Sequence, residues 1–459
     1  MVAVSSTHRL PADAGAEAVT AAAFAHCIMP LSPVAETREH GPSIYVRGDG
    51  VHLTDIHGRT YLDMMSSHTR ANSLGYGNVE IADAVREQLA TLHYIGTGAN
   101  LAIPTVRLAE TVSALAPVEN GKVLFVNDGS ESVETAFKLA RHIQQASGKP
   151  RATKIISRWN AYHGSTMGAM SATDWLGIRH ISEPGVPGHS MIPGPMRYRN
   201  PFNMEQEAYN DLCVTWLERE IQHQGSDYVA AFIAEPVMQA HGVQIPPDGY
   251  FDRVREICDR YGILLVIDEV ITGFGRTGAW FASDHWKIRP DLMTMAKALT
   301  GGYIPMGGVV ARGDLVDLLP VFRHVHTFSG HAAAATAALT AIGIVERDGL
   351  IERGRELGAY LLDGLQEELG NHPIVGEVRG IGMWLAVDFT RDKATREPFE
   401  DDTVAAVVAR MRDYGVLASP IGTAFELAPP LISSRSDMDE TVAVAGRAVR
   451  EVAKVRGLA

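Results

Sequence analysis

Short apolar runs alternate with amphipathic patterns through the middle of the chain. In residues 131–145, Val133, Phe137 and Ala140 recur at three- and four-residue steps, which predicts a helix with one buried face. Strands buried on both faces are predicted where nearly every position is apolar, at 123–126, 154–156, 230–234 and 264–267, and the apolar segment 307–310 is expected to flank a further crossover. Buried strands that alternate with helices predict an α/β fold around a parallel sheet.

The pattern changes in the last quarter of the chain. It predicts a helix at 351–370, a strand-like stretch at 377–389, and further helices at 402–413 and 437–455. Near the N-terminus, the alternating stretch IYVRGDGVHLTD predicts strands that pack with this unit. We therefore expect an N-terminal segment (1–75) packed with a small α+β domain (341–459), and a large domain (76–340) between them.

The composition argues against several classes of partner. The 41 basic and 54 acidic residues give a net charge of −13, which disfavours nucleic acid and anionic membrane surfaces. No apolar run approaches the length of a membrane span. Asp13 and Glu17 interrupt the Ala-rich N-terminal stretch, which we interpret as a loosely ordered leader rather than a signal peptide. The three widely spaced cysteines are typical of reduced thiols in the cytoplasm.

Residues 273–278, GFGRTG, match the G-x-G-x-x-G pattern of dinucleotide-binding proteins, but their context differs. In a dinucleotide site the first glycine ends the strand, so that the pyrophosphate meets a helix N-terminus. Here Asp268 and Glu269 come directly off the strand, and a pair of carboxylates repels a pyrophosphate. A NAD-dependent oxidoreductase is therefore disfavoured, and Asp268 calls for another explanation.

The residues after each predicted strand are the candidates for chemistry, because open α/β sheets bind ligands at the carboxyl ends of their strands. In chain order these candidates are Gly129 and Ser130, Tyr162, Glu235, Asp268, and Lys297. Singly, each has an ordinary structural explanation, such as a helix cap, a core tyrosine, a turn or a solvated lysine.

Together the candidates match what one cofactor requires. Gly129 and Ser130 open the helix at 131–145, where free N–H groups favour a phosphate. Tyr162 can stack on a heteroaromatic ring, and Asp268 can keep a ring nitrogen protonated. Lys297 lies in an apolar stretch, and desolvation of its amine favours formation of a Schiff base. Phosphate cradle, aromatic, carboxylate and lysine are the requirements of pyridoxal phosphate.

The amino-acid sequence of these segments resembles that of class III aminotransferases, within the fold type I pyridoxal-phosphate enzymes. The resemblance extends from about residue 30 to the C-terminal region, and its most specific pieces are NDGSESVETAFKLAR (127–141), RWNAYHGSTMGAM (158–170), LLVIDEVITGFGRTG (264–278) and PDLMTMAKALTGGYIPMGG (290–308). It implies a large domain with a mostly parallel seven-stranded sheet and a smaller α+β domain. It also implies that the glycines of 273–278 shape a loop after Asp268.

The resemblance assigns roles to individual residues. It implies that Lys297 forms the Schiff base and moves protons, and that Asp268 holds the ring nitrogen protonated. It also implies that the cofactor is bound by Gly129, Ser130, Tyr162, Glu235 and Val270. It further implies a homodimer, or a tetramer, in which Thr327 reaches the phosphate of the neighbouring subunit. His331 falls in the S-G-H turn of the family. Because His324 and His326 have no carboxylate or cysteine near them in the sequence, no metal site is expected.

Residues YHGST (162–166) are similar to the ω-amino acid and amine:pyruvate branch of the family. That similarity implies transfer of an amino group from an amine or ω-amino acid to a 2-oxo acid, with pyruvate favoured. A pyridoxal-phosphate lyase or decarboxylase, for example one that eliminates phosphate from an amino-alcohol phosphate, is the alternative. A binding protein without activity is disfavoured, because every type of cofactor contact is present.

Two positions depart from that branch. Arg70 stands where the branch often has tryptophan, and Ser419 stands where it often has an arginine that accepts the carboxylate of the keto acid. Since a guanidinium binds a carboxylate, sulfonate or phosphate through two hydrogen bonds, one hypothesis is that Arg70 anchors an anionic group of a substrate. The alternative is that Arg70 is a structural residue, displaced by a gap in the match.

Overall fold

The computed structural model describes residues 15–32, 34–96 and 98–458, so the predicted leader at 1–14 lies outside the described residues. In these ranges the helices are α1 (Ala16–His26), α2 (Val34–His40), α3 (Val79–Thr91), α4 (Ile103–Leu115), α5 (Gly129–Ala146), α6 (Met167–Ser171), α7 (Leu176–Ser182), α8 (Gln206–Gln224), α9 (Tyr250–Tyr261), α10 (Gly313–Val316), α11 (Ala332–Arg347), α12 (Leu350–Leu369), α13 (Thr403–Asp413) and α14 (Arg435–Val455). The four long helices predicted at 131–145, 351–370, 402–413 and 437–455 correspond to α5, α12, α13 and α14.

The strands form three sheets. In chain order the strands are β1 (Tyr45–Asp49), β2 (His52–Asp55), β3 (Thr60–Asp63), β4 (Lys122–Val126), β5 (Lys154–Arg158), β6 (His189–Ile192), β7 (Val229–Ala234), β8 (Leu264–Asp268), β9 (Leu292–Met295), β10 (Gly307–Ala311), β11 (Val375–Ile381), β12 (Trp384–Phe389), β13 (Val416–Leu417), β14 (Ser419–Ile421) and β15 (Ala424–Leu427). The sheet orders are β4-β10-β9-β8-β7-β5-β6, β1-β2-β3-β13 and β11-β12-β15-β14.

The seven-stranded sheet confirms the predicted α/β fold. Strands β6, β5, β7, β8 and β9 are parallel to one another. Strand β10 runs antiparallel to both β9 and β4, so no crossover helix joins β9 to β10, and the crossover expected beside 307–310 was wrong. The stretch predicted as one strand at 377–389 is a hairpin of β11 and β12, which turns at Gly382 with a φ of +54°.

Helices cover both faces of the large sheet. Helix α5 buries Val133, Phe137 and Ala140 against one face, and its N-cap Asp128 accepts a hydrogen bond from the Glu131 amide. Helices α8 and α9 cover the other face with side chains that include Leu217. Every residue of β7 and β8 is buried, and apart from Asp268 at the end of β8 all their side chains are apolar, as expected of strands covered on both faces. Polar side chains are therefore confined to the strand ends.

The N-terminal strands pack with the C-terminal part of the chain. Strand β3 pairs in parallel with β13, and Leu62 lies opposite Val416. Leu62 and Leu74 share one apolar cluster with side chains of α12 and α14 such as Leu361 and Val449. These contacts agree with the expected packing of the N-terminal segment, while the domain bounds 1–75, 76–340 and 341–459 stay a prediction.

Two further features bear on the environment of the protein. In the described ranges, no helix combines the length and apolar character needed to cross a membrane. Cys27 is exposed, whereas Cys213 and Cys258 are buried, and all three are free thiols. Burial raises the pKa of both buried thiols to about 12, so they remain protonated at neutral pH and pack as small apolar groups.

Candidate active site

A cavity of about 410 Å³ lies at the carboxyl edge of the parallel strands. Strand β10 enters the sheet from this edge, so the segment just before it closes one side of the cavity. The cavity collects most of the candidates from the sequence, namely Gly129, Ser130, Tyr162, Glu235, Asp268, Val270 and Lys297. Arg70 and Thr327 do not line it.

Lys297 directly follows β9 and begins a short 3₁₀ turn, Lys297–Thr300. Its backbone φ of +50° is in the left-handed region, where a residue with a side chain is strained and persists only when the surroundings enforce it. Burial, followed by the positive charge of Arg70, lowers the pKa of Lys297 from 10.5 to about 8, against the opposing charges of Asp268 and Glu426. At pH 7 roughly a tenth of the amine is therefore unprotonated, far more than at its ordinary pKa, and this fraction can act as a nucleophile.

Asp268 ends β8 and is held by three donors. Its Oδ1 accepts hydrogen bonds from the Thr294 hydroxyl at 2.9 Å and from the Val270 amide at 3.1 Å. Its Oδ2 lies 2.7 Å from Nδ1 of His163. These contacts fix the carboxylate in the floor of the cavity, with only 4% of the residue exposed.

His163 is a site residue to which the sequence interpretation gave no role. It follows β5 next to Tyr162, it is 3% exposed, and its amide donates to the Thr173 hydroxyl at 2.9 Å. Its Nε2 has no hydrogen-bond partner among the described residues. The sequence feature that could have identified His163 is its position after the predicted strand at 154–156, next to Tyr162.

The start of α5 forms a cradle suited to a phosphate. Gly129 and Ser130 are its first residues, and the first amides of a helix have no partner inside the helix. A Cβ at Gly129 would lie 2.8 Å from a methyl group of Val270, so only glycine allows the helix end to approach the β8 loop this closely. On the other side, the Ser165 amide donates to the Ser130 hydroxyl at 3.1 Å.

Glu235 directly follows β7, as predicted, and lies in the cavity wall. The Gln239 amide donates to its Oε1 at 3.3 Å, and Arg158 donates to its backbone carbonyl at 2.5 Å. Burial raises the pKa of Glu235, while the charges of His163 and Arg158 act in the opposite direction. Its Oε2 accepts no hydrogen bond from the described residues.

These residues fit pyridoxal phosphate. The fit rests on a buried lysine with a lowered pKa, a fixed carboxylate, and a glycine-lined helix N-terminus that faces the same cavity. Lys297 would hold the aldehyde carbon, Asp268 the ring nitrogen, and Gly129 with Ser130 the phosphate. Tyr162 and Val270 line the same cavity and would contact the ring.

The loop after β8 explains the glycine pattern at 273–278. Glu269 is fully buried and accepts hydrogen bonds from the Ser283 amide at 2.7 Å and the Ala282 amide at 3.0 Å, which closes the loop on itself. Arg276 donates to the carbonyls of Met383 at 2.9 Å and Pro429 at 2.5 Å. The loop therefore ties the large sheet to the C-terminal part of the chain.

Arg70 lies beside the cavity rather than in its wall, where its neighbours Thr69 and Ala71 are found. Its Nε donates to Glu426 Oε1 at 2.6 Å, and its Nη2 pairs with Glu426 Oε2. Trp384 donates its Nε1–H to the same carboxylate. With its side-chain oxygen turned toward the guanidinium, Gln239 accepts from Nη1 and Nη2, each at 3.0 Å. Arg70 is thus buried and paired next to Lys297.

Glu426 was not among the sequence candidates. It lies 356 residues from Arg70 along the chain, in the middle of β15, and nothing in its local pattern separates it from a surface glutamate. The fold alone brings the two together. Whether Arg70 contacts a substrate stays a prediction.

Thr327 lies outside the cavity, on an exposed turn, and Tyr94 donates its hydroxyl to the Thr327 carbonyl at 3.0 Å. His331 is the N-cap of α11, where its Nδ1 accepts from the Ala333 amide at 3.3 Å. His326 lies 3.3 Å from Glu131, a carboxylate that its sequence neighbourhood did not indicate. In the part of the chain that the structure describes, no three histidine, cysteine or acidic side chains form a group able to hold a metal ion.

Comparison with known proteins gives consistent matches. The model of the family described as aminotransferase class-III matches residues 34–449. A putrescine–pyruvate aminotransferase of Pseudomonas aeruginosa is 36% identical over 434 residues, covering 93% of this chain and 95% of that protein. A taurine–pyruvate aminotransferase of Bilophila wadsworthia is 37% identical over 435 residues, covering 91% of this chain and 94% of that protein.

Solved structures match along nearly the whole chain. An (S)-enantioselective ω-transaminase from Thermomicrobium roseum superposes with a TM-score of 0.91 at 37% identity, covering 95% of this chain and 99% of that one. The ω-transaminase of Pseudomonas jessenii, solved in complex with PMP, gives a TM-score of 0.92 at 31% identity, covering 96% of this chain and 99% of that one.

The lowered pKa of Lys297 has a measurable consequence. Below the pKa the amine is protonated and does not attack an aldehyde, so we expect the rate at which the apoprotein combines with pyridoxal phosphate to rise with pH through a midpoint near 8. Nα-acetyl-lysine, measured in parallel, corrects for titration of the reagent and should show a midpoint of about 10.4. A protein midpoint as high as that of the free amine would contradict the assignment, and a Lys297→Ala variant should not react.

Proposed function

We propose that this chain, which belongs to the class III aminotransferases, moves an amino group from an amine or ω-amino acid to pyruvate. The family match confirms the predicted pyridoxal-phosphate-dependent transaminase, and the coverage by ω-transaminase structures confirms the predicted fold type. Pyruvate appears in the names of both relatives described above, and putrescine and taurine are their amino donors. Because these relatives are transaminases, the lyase or decarboxylase alternative is not favoured.

One observation carries the proposal: the buried Lys297, with its lowered pKa, shares a cavity with the fixed carboxylate of Asp268. When bound, pyridoxal phosphate supplies an electron sink for the charge that develops when a proton leaves the substrate. Asp268 stabilises the protonated ring nitrogen on which that sink depends. Lys297, freed from the cofactor by the incoming amine, holds and returns the proton at its Nζ, and its pKa near 8 suits both tasks at neutral pH.

The remaining cavity residues bind and orient. Tyr162 and Val270 contact the ring, and Gly129 with Ser130 bind the phosphate. His163 keeps the Asp268 carboxylate aimed into the cavity. Glu235 supports the same floor through its contacts with the Gln239 amide and with Arg158.

We place the anionic end of the keto acid at Arg70. Glu426 occupies the Nε and Nη2 side of the guanidinium, whereas the Nη1 and Nη2 side meets only the neutral amide of Gln239. A substrate carboxylate can therefore replace a neutral acceptor without breaking the buried ion pair. Among the cavity-lining residues that the structure describes, Lys297 is the only lysine or arginine. Arg70 lies between the lining residues Thr69 and Ala71, and its positive charge acts on Lys297. Ser419 offers no charge for this purpose.

The active unit in this proposal is a homodimer in which Thr327 completes the phosphate site of the neighbouring subunit. Thr327 is exposed and lies outside its own cavity, so in a single chain it has no route to the cofactor. Large apolar side chains of the same segment, and others at the start of α4, which Thr105 connects to the Gly330 carbonyl, are exposed, as expected of a face that a second copy covers: Leu101, Ile103, Val106, Val321, Val325 and Phe328. We further propose that the enzyme acts in the cytoplasm, where free thiols remain reduced.

The half-reaction tests the transaminase directly. We expect an amine, added without keto acid, to remove the visible absorption band of the bound cofactor, and pyruvate to restore it. Asp268→Asn should bind the cofactor but slow this step roughly hundredfold or more, because the ring nitrogen loses its charge partner. Persistence of the band while phosphate or carbon dioxide accumulates would instead identify a lyase or decarboxylase.

The role of Arg70 is tested with both charges removed together, since deleting one partner leaves a buried charge unpaired. In the double variant Arg70→Gln/Glu426→Gln, the neutral pair keeps hydrogen-bonding groups, and the new amide in β15 can still accept from Trp384. We expect the KM for pyruvate to rise roughly ten- to hundredfold, the equivalent of about 1.5–3 kcal/mol for a charge-assisted hydrogen bond.

The control is an uncharged aldehyde acceptor with the same amine donor. Its KM should stay unchanged in the double variant, since it has no anion for Arg70 to bind. Equal effects on pyruvate and the aldehyde, or none on either, would remove Arg70 from the substrate site and leave the ion pair with a structural role.

A further inference from the structure

Thr327 is presented by a four-residue turn. The Ser329 amide donates to the His326 carbonyl at 3.1 Å, which places Thr327 and Phe328 at the two central positions. Both central residues are exposed. The position of the Thr327 hydroxyl therefore depends on what holds His326 and Ser329 on either side of it.

The side before Thr327 is held by His326. Its Nδ1 lies 3.3 Å from Oε1 of Glu131, and its Nε2 lies 2.9 Å from Nε2 of His324. The His324 Nε2 is also 2.8 Å from the Thr135 hydroxyl. Burial, followed by the charge of Lys138, lowers the pKa of His324 to about 4, so His324 is neutral at neutral pH and carries no charge that would repel His326.

The side after Thr327 is held by Ser329, whose hydroxyl donates to the carbonyl of Phe125 in β4. Glu131 closes the connection, because its Oε2 accepts from both the backbone amide and the side-chain amide of Asn127, each at 2.8 Å. Asn127 lines the cavity just ahead of Gly129. Both sides of the turn are thus attached to the β4–α5 unit that forms the phosphate cradle of the same chain.

We propose that His326 is a positioning residue that couples the phosphate cradle of its own subunit to Thr327, and hence to the cofactor site of the neighbouring subunit. This rests on the proposed homodimer. His326 is not among the residues that line its own cavity, and it acts through Glu131 on one side and through the turn on the other. Glu131 is held by Asn127 at the phosphate cradle, so the cradle of one subunit and the turn that serves the other subunit form one connected unit.

Mixed dimers separate this coupling from a local structural effect. Lys297→Ala removes the absorption band of the lysine-bound cofactor from one subunit, so the band reports a single site. In the first arrangement, His326→Phe is in the chain that keeps Lys297. In the second arrangement, His326→Phe and Lys297→Ala are in the same chain, and the reporting site belongs to the wild-type chain. The measurement is the concentration of pyridoxal phosphate that half-saturates the band.

We expect the second arrangement to require roughly tenfold more pyridoxal phosphate than a mixed dimer of wild-type and Lys297→Ala chains. The variant chain loses the charge-assisted contact between His326 and Glu131, so the Thr327 that it contributes to the wild-type site is misplaced. Thr327→Val in place of His326→Phe should show the same dependence on arrangement, and its exposed position spares the fold. His326→Gln, which keeps a donor toward Glu131, should restore most of the affinity.

Loss of affinity only in the first arrangement, or in neither, would overturn the coupling. The wild-type protein separates this failure from failure of the proposed function. If wild-type chains form dimers, and an amine removes the band while pyruvate restores it, the transaminase proposal stands whatever the outcome for His326. Should His326→Phe chains fail to dimerise, the Thr327→Val and His326→Gln mixed dimers decide the question alone.

Discussion

The carboxylate of Asp268 is buried at the end of a parallel strand, and the site is organised around keeping a negative charge there. A buried carboxylate is tolerated only where donors replace the water that it has lost. Thr294 from the neighbouring strand β9, the Val270 amide from the following loop, and His163 from the end of β5 supply them. Three segments of one sheet edge must therefore be in register before the charge is stable. The same register brings Lys297, directly after β9, into the cavity.

Further charges around the cavity follow the same rule. Arg70 is paired with Glu426, and Arg158 donates to the backbone of Glu235 and lies 3.8 Å from its carboxylate. Burial, followed by the positive charge of Arg70, strongly lowers the pKa of Lys297. In the proposed function, this arrangement would hold a cofactor cation and a substrate anion in place while one amine stays free to react. Disturbing any one partner is expected to affect its neighbours, so single substitutions here are poor measures of individual roles.

The site residues that could be predicted from the sequence are those that a local sequence pattern marks. Strand β8 followed by Asp268, the run before Lys297, and Gly129 at the start of α5 are local patterns with a local physical cause. His163 was passed over because a histidine in a loop has many uses until the fold places it against Asp268. Glu426 was out of reach, because its partner lies at the other end of the chain. Strand β6, His189–Ile192, was missed because it contains His189 and Ser190 and lies at the sheet edge.

We propose that Asp268 holds the ring nitrogen of the cofactor in its protonated form. Nitrogen-15 NMR of the protein reconstituted with ring-labelled pyridoxal phosphate measures this state without turnover. We expect a protonated ring nitrogen in the wild-type protein at neutral pH, and loss of that proton in Asp268→Asn. An unprotonated nitrogen in the wild-type protein, or the same chemical shift in both proteins, would contradict this role of Asp268.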